Sequence, residues 1–491
     1  MVSNLAKKLP PATLVKVTEL PHEEIKWCTV TLNDVIKAGK RLEASVFEIE
    51  GKHARESVEN CKYPKSMLCG MDGIASAYTG ARFKRIWLKH SENPIFQPST
   101  IMDIKPEPDG YISSVTNTDI NKLRVKEGQI LITCSGTIGK ISLVSKTLDN
   151  HIFSHDLIRM DVKNPADIGF VYAFLRSRTG NVLLQSNSYG AVITHIEPEH
   201  LSSVPIPNPP ELLKAKINDL IMKSFDLRDE SNELIDRATK MLVDELQLPD
   251  INEFKTQKFD KANEVDNYAV KLSELTGRLD GSFHVPIVKA IVDHLEKYAD
   301  EVTTVGDDSV SKDVILPGRF KRVYVEEGQG RVFFGGKQIF ELDPSNKKYL
   351  SLVHHADRIK DQLELHENMT LITCSGTIGK VALVPKHWEN WTANQHIIRV
   401  VPANKKIAGY LSVFLSSVYG YNLITRYTYG SVVDEIDDRH VAQIPFPLLR
   451  NKAAQEEINS LALKANELRY EAYLAEQKAL QIMDDEVIFA E

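Results

Sequence analysis

Two long stretches of the chain carry the spacing of helices that pack on one another. Over residues 453–483 the apolar positions are Ile458, Leu461, Ala465, Leu468, Ala472, Ala475, Ala479 and Ile482. Their steps alternate between three and four, the seam of a coiled coil. Over 209–246 a second stripe runs through Ile217, Leu220, Leu227, Leu234, Ala238 and Met241, with Ser224 and Ser231 interrupting it. Each stretch predicts a helix, and about 35 residues at 1.5 Å each span roughly 50 Å. Matched lengths and narrow stripes favour packing of the two helices on each other over burial in separate cores. Before each helix the pattern changes to short apolar runs punctuated by glycine. These predict strands at 129–133 and 141–144, then at 370–373 and 381–384, with a glycine-bearing loop inside each pair. A helical stretch follows in each half, at 168–184 and 407–424.

The two halves also match residue by residue. Thr133-Cys134-Ser135-Gly136-Thr137-Ile138-Gly139-Lys140 recurs 240 positions on, from Thr373 to Lys380. Tyr189-Gly190 returns as Tyr429-Gly430, His200 as His440, and Pro205-x-Pro207 as Pro445-x-Pro447, all at the same shift. Upstream, Arg82-Phe83-Lys84-Arg85 matches Arg319-Phe320-Lys321-Arg322, and Arg41-Leu42-Glu43 matches Arg278-Leu279-Asp280, at a shift of 237. A period this long means duplicated domains, because solenoid repeats run roughly 20 to 50 residues. The predicted fold is α+β: two duplicated domains separated by two long antiparallel coiled-coil helices. The divisions fall at an N-terminal segment (1–29), domain one (30–207), a spacer helix (208–248), a linker (249–268), domain two (269–447), a second spacer helix (448–485) and a tail (486–491).

Composition narrows the class. The chain is 42% hydrophobic and 26% charged, with no run approaching the roughly 20 apolar residues of a membrane span. Five cysteines, an odd number without a C-x-x-C pair, fit a reduced, cytoplasmic setting better than a disulfide framework. The net charge of −7 argues against a general nucleic-acid coat protein. It leaves a DNA reader open, since local basic patches carry phosphate binding.

The order of these motifs, an Arg-Leu-Asp/Glu element, a Ser-Gly-x-x-Gly loop, then Tyr-Gly, Pro-x-Pro and a long helix, all duplicated, resembles the specificity subunit of type I restriction–modification systems. The resemblance spans about Val30 to Met483. It implies two target-recognition domains, each reading one half of a bipartite double-stranded DNA sequence, with the helices fixing the gap. It implies docking of two methyltransferase subunits that use S-adenosylmethionine to methylate adenine at N6. Two restriction subunits, using ATP and Mg, can join them. The chain itself would hold no cofactor or metal and catalyse nothing. Two other readings stay open: a protein-binding scaffold with duplicated domains, and a stand-alone restriction enzyme, for which the chain has no spare length.

The candidate DNA contacts are Arg82, Lys84, Arg85, Lys89, Arg319, Lys321 and Arg322, because aromatic residues interleave with the charges. Lys140 and Lys380 are further phosphate candidates, against the plainer reading of a tight turn. That loop lacks the first glycine and the final Ser/Thr of a P-loop. Gly136, Gly139, Gly376 and Gly379 are expected to serve positive φ or close packing. Tyr189-Gly190 and Tyr429-Gly430 are expected to form turns before a closing strand, and His200 and His440 to be structural. Cys134 and Cys374 are expected in buried strands, as unreactive thiols. Base contacts are expected in the stretches that share little between halves, 86–119 and 323–357. Asn208-Pro209-Pro210 lacks the aromatic residue of an adenine-methyltransferase motif. Pro249-Asp250 and Glu253-x-Lys255 stand too close together for a nuclease site. Both read as linkers beside helices.

Overall fold

A computed structural model describes residues 29–37, 47–189, 194–256, 268–275 and 277–490. The Arg41-Leu42-Glu43 element and Gly190 lie outside them. In the first half the strands are β1 (Lys65–Met67), β2 (Ala75–Thr79), β3 (Trp87–Leu88), β4 (Pro94–Phe96) and β5 (Gly110–Ile112). They continue as β6 (Ile130–Thr133), β7 (Ile141–Leu143), β8 (Ile152–Phe153), β9 (Leu157–Val162) and β10 (Pro205–Pro207). The second half begins with β11 (Glu301–Thr304), β12 (Ser311–Ile315), β13 (Tyr324–Val325), β14 (Gly330–Phe334) and β15 (Lys348–Ser351). It continues with β16 (Thr370–Thr373), β17 (Val381–Leu383), β18 (Thr392–Ala393), β19 (Ile397–Pro402) and β20 (Pro445–Leu448).

Adding ten to each label turns the first half into the second. An inner sheet runs β2-β9-β6-β7 or β12-β19-β16-β17, an outer sheet β3-β5-β4-β8 or β13-β15-β14-β18, and a two-stranded ribbon β1-β10 or β11-β20. Among the described residues only the β4–β8 and β14–β18 pairs are parallel.

Alternation along the inner strands explains the layering. Ile130 and Ile132 of β6 join the core that holds the helices, while Leu131 between them joins a second core beneath the outer sheet. Ile372 and Leu371 of β16 divide in the same way. The helical stretch predicted as one piece is two helices in each half: Ile168–Arg176 with Arg178–Ser186, and Lys405–Ser416 with Val418–Thr425. Ser177 and Ser417 break them, each hydroxyl capping the amide of a glycine three residues on at 3.1 Å.

The central helix (Glu211–Glu245) and the C-terminal helix (Lys452–Ile482) pack antiparallel along their length. Lys216 pairs with Glu486 at one end, Ser224 Oγ donates to the Ala472 carbonyl at 2.8 Å, and Asn451 bonds Glu245 at the other end. The seam of the central helix differs from the sequence reading. It runs through Lys214, Ile217, Ile221, Ser224, Arg228, Ser231, Ile235, Ala238 and Leu242, all buried or half-buried. Ser224 and Ser231 thus belong to the buried stripe with Ile217 and Ala238, while Leu220, Leu227 and Leu234 are half-buried, as are Arg228 and Ile235. Both serines meet the partner helix, Ser224 at the Ala472 carbonyl and Ser231 at the Arg469 guanidinium. On the C-terminal helix Ile458, Leu468 and Ile482 are buried and Leu461 is half-buried.

Each helix ends in the far domain's core. Leu242, Leu246 and Leu248 join the second domain, and Ile482, Met483, Val487 and Ile488 join the first. At mid-seam a buried Glu476 receives Arg176, Arg228 and the Tyr172 hydroxyl. Burial would raise its carboxyl, but the two guanidiniums outweigh that and hold it below the usual range. No single helix among the described residues is long and apolar enough to cross a membrane.

Candidate nucleic-acid interface

The basic clusters lie in the irregular segments leading into β3 and β13, and their residues alternate between outward and inward positions. Arg82 and Lys84 are exposed, while Phe83 turns onto the core of the outer sheet. Arg85 is half-buried, donating to Ser154 Oγ at 2.8 Å and pairing with Asp156 at 3.4 Å. The second half repeats this: Arg319 and Lys321 are exposed, Phe320 packs inward, and Arg322 donates to Gln395 Oε1 at 2.7 Å. Arg85 and Arg322 therefore brace the turn that joins the outer sheet to the inner one. The outward pairs are the ones placed to meet a phosphate.

Beside them, Ile86, Trp87 and Leu88 are exposed, Trp87 at 51% and Leu88 at 44%. Lys89 is exposed next to them. The counterpart is Tyr324, 39% exposed, with Lys348 Nζ 4.9 Å from its ring centre. A flat aromatic flanked by cations on a solvent face suits contact with a base edge or sugar. The field of these groups also reaches nearby histidines. Burial, then Arg322 and Arg319, hold His396 below its ordinary value; burial, with Arg85 and Arg82, does the same for His155.

The Ser-Gly-x-x-Gly loop and the Tyr-Gly element prove to be one unit in each half. Tyr189 pairs with His195 and Ser135 with the same residue; Tyr429 and Ser375 pair with Glu435. The amides of Gly136 and Gly376 donate to the carbonyls of Thr194 and Asp434 at 3.1 and 2.9 Å. All four loop glycines adopt positive φ, between +73° and +86°. His200 and His440 each accept a backbone amide through Nδ1, from Glu197 and Asp437, and so close helix-start caps. Arg278 grips the base of the second hairpin, donating to the carbonyls of Tyr427 and Thr428 at 3.2 Å. Cys134 and Cys374 lie just beyond the strand ends and are buried, and burial pushes their thiols up to about 11 and about 12. Both sit far from thiolate chemistry at neutral pH.

Lys140 and Lys380 are half-buried, and each meets a carboxylate of the other domain. Lys140 Nζ pairs with Glu341 of the other domain at 3.0 Å, and Lys380 pairs with Glu107 of the first. Lys140 is thus held by a buried carboxylate, which corrects its expected phosphate role, while Lys380 pairs at the surface with the exposed Glu107. The stretches expected to hold base contacts divide accordingly. β3 and the Tyr324 end of β13 face solvent, while Asp103, Ile104, Phe340 and Glu341 are taken up by contact between domains.

Two repeated features escaped the sequence reading. Arg159 and Arg399 are fully buried in β9 and β19, opposite Leu131 and Leu371. Their guanidiniums face carbonyls and no carboxylate: Arg159 donates to Leu123, Phe153 and Ser154 at 3.1–3.3 Å, and Arg399 to Leu363 and Asn394. Burial lowers Arg399 to about 9. A charge repeated at one place inside two apolar strands was the available signal. The second feature is a glycine–asparagine clamp. Gly169 and Gly409 donate their amides to Asn218 and Asn459 of the long helices, each at 2.8 Å. A Cβ on Gly409 would meet the Asn459 carbonyl oxygen at 2.4 Å, so the domain seats on its helix only without a side chain there.

Among the described residues no cluster of histidine, cysteine, aspartate or glutamate could hold a metal ion. The family model described as the type I restriction modification DNA specificity domain matches residues 79–237 and 343–461. No curated protein matches the chain. The S subunit of a type I restriction-modification system from M. genitalium is similar in structure, with 12% identity over 87% of this chain and 95% of that one, at a TM-score of 0.32. The HsdS subunit from Thermoanaerobacter tengcongensis gives 14% identity over 85% and 98%, at 0.25. A third structure, solved in work on complex assembly and conformational transition of the type I R-M system, gives 16% over 82% and 97%, at 0.26.

Proposed function

The chain belongs to the type I restriction–modification DNA specificity family, and on that premise we propose that it reads DNA sequence for such a system, each half addressing one half of a bipartite duplex. The observation that carries this reading is the reciprocal repeat: one set of ten strands occurs twice, each copy seated on one of two antiparallel helices. Two related readers on a stiff spacer can address separated half-sites, and a duplicated single chain lets the halves diverge to read an asymmetric sequence. Arg82, Lys84, Lys89 and Lys321 supply phosphate contacts, with Arg319 beside them. Trp87, Leu88 and Tyr324 lie nearest the bases. The chain positions DNA and catalyses nothing. Two methyltransferase subunits docked along the helices bring S-adenosylmethionine and transfer the methyl group to adenine N6, and restriction subunits bring ATP and Mg.

The test is anisotropy of the chain assembled with its methyltransferase partner, on duplex pools at rising salt. Neutralising several phosphates gives a steep fall of affinity with salt, about 0.9 in log–log slope for each contact. Saturable binding of protein with no salt-dependent duplex binding would instead favour a scaffold. Methyl transfer by the chain alone would establish an enzyme.

A further inference from the structure

We propose that Lys140 and Lys380 are positioning residues that lock the two domains to each other across the pseudo-two-fold axis, so that this contact, with the helix pair, sets the phase between half-sites. The proposal rests on the bipartite reading for its consequence and on geometry for its existence. Asp103 and Glu341 occupy equivalent places in the repeat, 238 positions apart, and they face each other as an antiparallel bridge. The amide of Ile104 donates to the carbonyl of Phe340 beside them at 2.9 Å. On either side of this point one lysine crosses over, Lys140 to Glu341 and Lys380 to Glu107.

The two lysines are equivalent in the repeat and cross in opposite directions, but their acceptors differ, since Glu341 answers to Asp103 and Glu107 to Ser345. Glu341 is 1% exposed and also receives the Ser345 amide at 2.6 Å, so its charge is committed inside the interface. Burial, then the Glu341 carboxylate, push Asp103 up to about 7, while Lys140 and Lys380 oppose them. Each lysine is also fixed from behind, its amide donating to Thr133 or Thr373 Oγ1 at 3.0 Å. The other end of the same loop is bonded to the Tyr-Gly hairpin, whose Glu435 holds Arg319. The loop thus ties the outward basic face of one domain to the body of the other.

Spin labels carried by unnatural amino acids at Met71 and Val353, both above 90% exposed, report the distance between domains in the full chain without DNA. The wild type should give one narrow distribution. K380E and K140M should broaden it, and the exchange E107K with K380E should restore it, which separates loss of the lock from loss of the fold. An unchanged distribution in a K140M/K380E double variant would overturn the proposal. With its methyltransferase partner, the wild-type chain offered duplexes of randomised gap should keep one gap. K380E should accept neighbouring gaps with a preference relaxed about tenfold, the size of a coupled contact. A wild-type complex that selects no split sequence would sink the bipartite reading instead, and the label distances would still decide the lock.

Discussion

The joints that seat the two domains on their helices occupy equivalent places and are built from different chemistry. In the first, Asp229 of the central helix accepts from Ser145 Oγ at 2.7 Å, the Lys146 amide at 3.0 Å and the Thr147 amide at 3.2 Å. Asn232, one turn on, donates to Thr147 Oγ1 and to the Ile104 carbonyl. In the second, the same helix positions are Tyr470 and Tyr473, and His387 stands where Thr147 stood. His387 stacks on Tyr473 with ring centres 4.1 Å apart, and its Nε2 donates to the Leu342 carbonyl, the equivalent of Ile104. One joint is a caged carboxylate and the other an aromatic stack. Duplication has kept the geometry and let the chemistry go, as is required of halves that hold one frame and carry different surfaces.

Asp229→Ala should break the first joint hardest, because four donors, the Thr147 hydroxyl included, lose one acceptor. We expect about 3 kcal/mol of lost stability, read from urea unfolding. Hydrogen exchange should rise in the first domain and leave the second unchanged. Acid should do the reverse. Burial holds His387 down to about 4, below its unfolded value of 6.5. A base depressed in the folded state contributes stability that is full above 6.5 and is lost as pH falls through 4. The loss, on the order of 2 kcal/mol, should fall on the second joint. His387→Thr should flatten that pH dependence. Tyr473→Leu keeps the apolar bulk and removes the stack, for a loss of about 1 kcal/mol.

The smallest effects on stability, near zero, belong to the outward face. Arg82→Ala with Lys84→Ala should lower the salt slope of DNA binding by about two and leave unfolding unchanged. Arg319 is paired with Glu435, while the first domain has His195 at that place. Arg319→Ala should therefore cost less binding than Arg82→Ala, and Glu435→Ala should narrow the gap.

The sequence made the duplication, the two long helices and the strand–loop–strand units legible, since each is written in periodicity or literal repetition. It placed Ile217 and Ala238 in the buried stripe of the central helix and took Ser224 and Ser231 as interruptions, although both are buried there, because serine reads as surface. It kept Lys140 and Lys380 as phosphate candidates beside the tight-turn reading, and missed their pairing because Glu341 and Glu107 lie some 200 residues or more away in the other half. Nothing local announces a charge that crosses between domains. The Gly169–Asn218 and Gly409–Asn459 clamps were hidden for the same reason: each residue is unremarkable until its partner is known. The inward turn of Arg85 and Arg322 was hidden too, since both lie outside the strands and their partners, Asp156 and Gln395, stand some 70 residues on.

The most direct test is co-purification of the tagged chain with methyltransferase subunits, followed by mapping of adenine methylation in a random DNA library. The account predicts modification of one split sequence with a fixed gap. A chain that purifies folded and alone, and a library left unmodified, would contradict it.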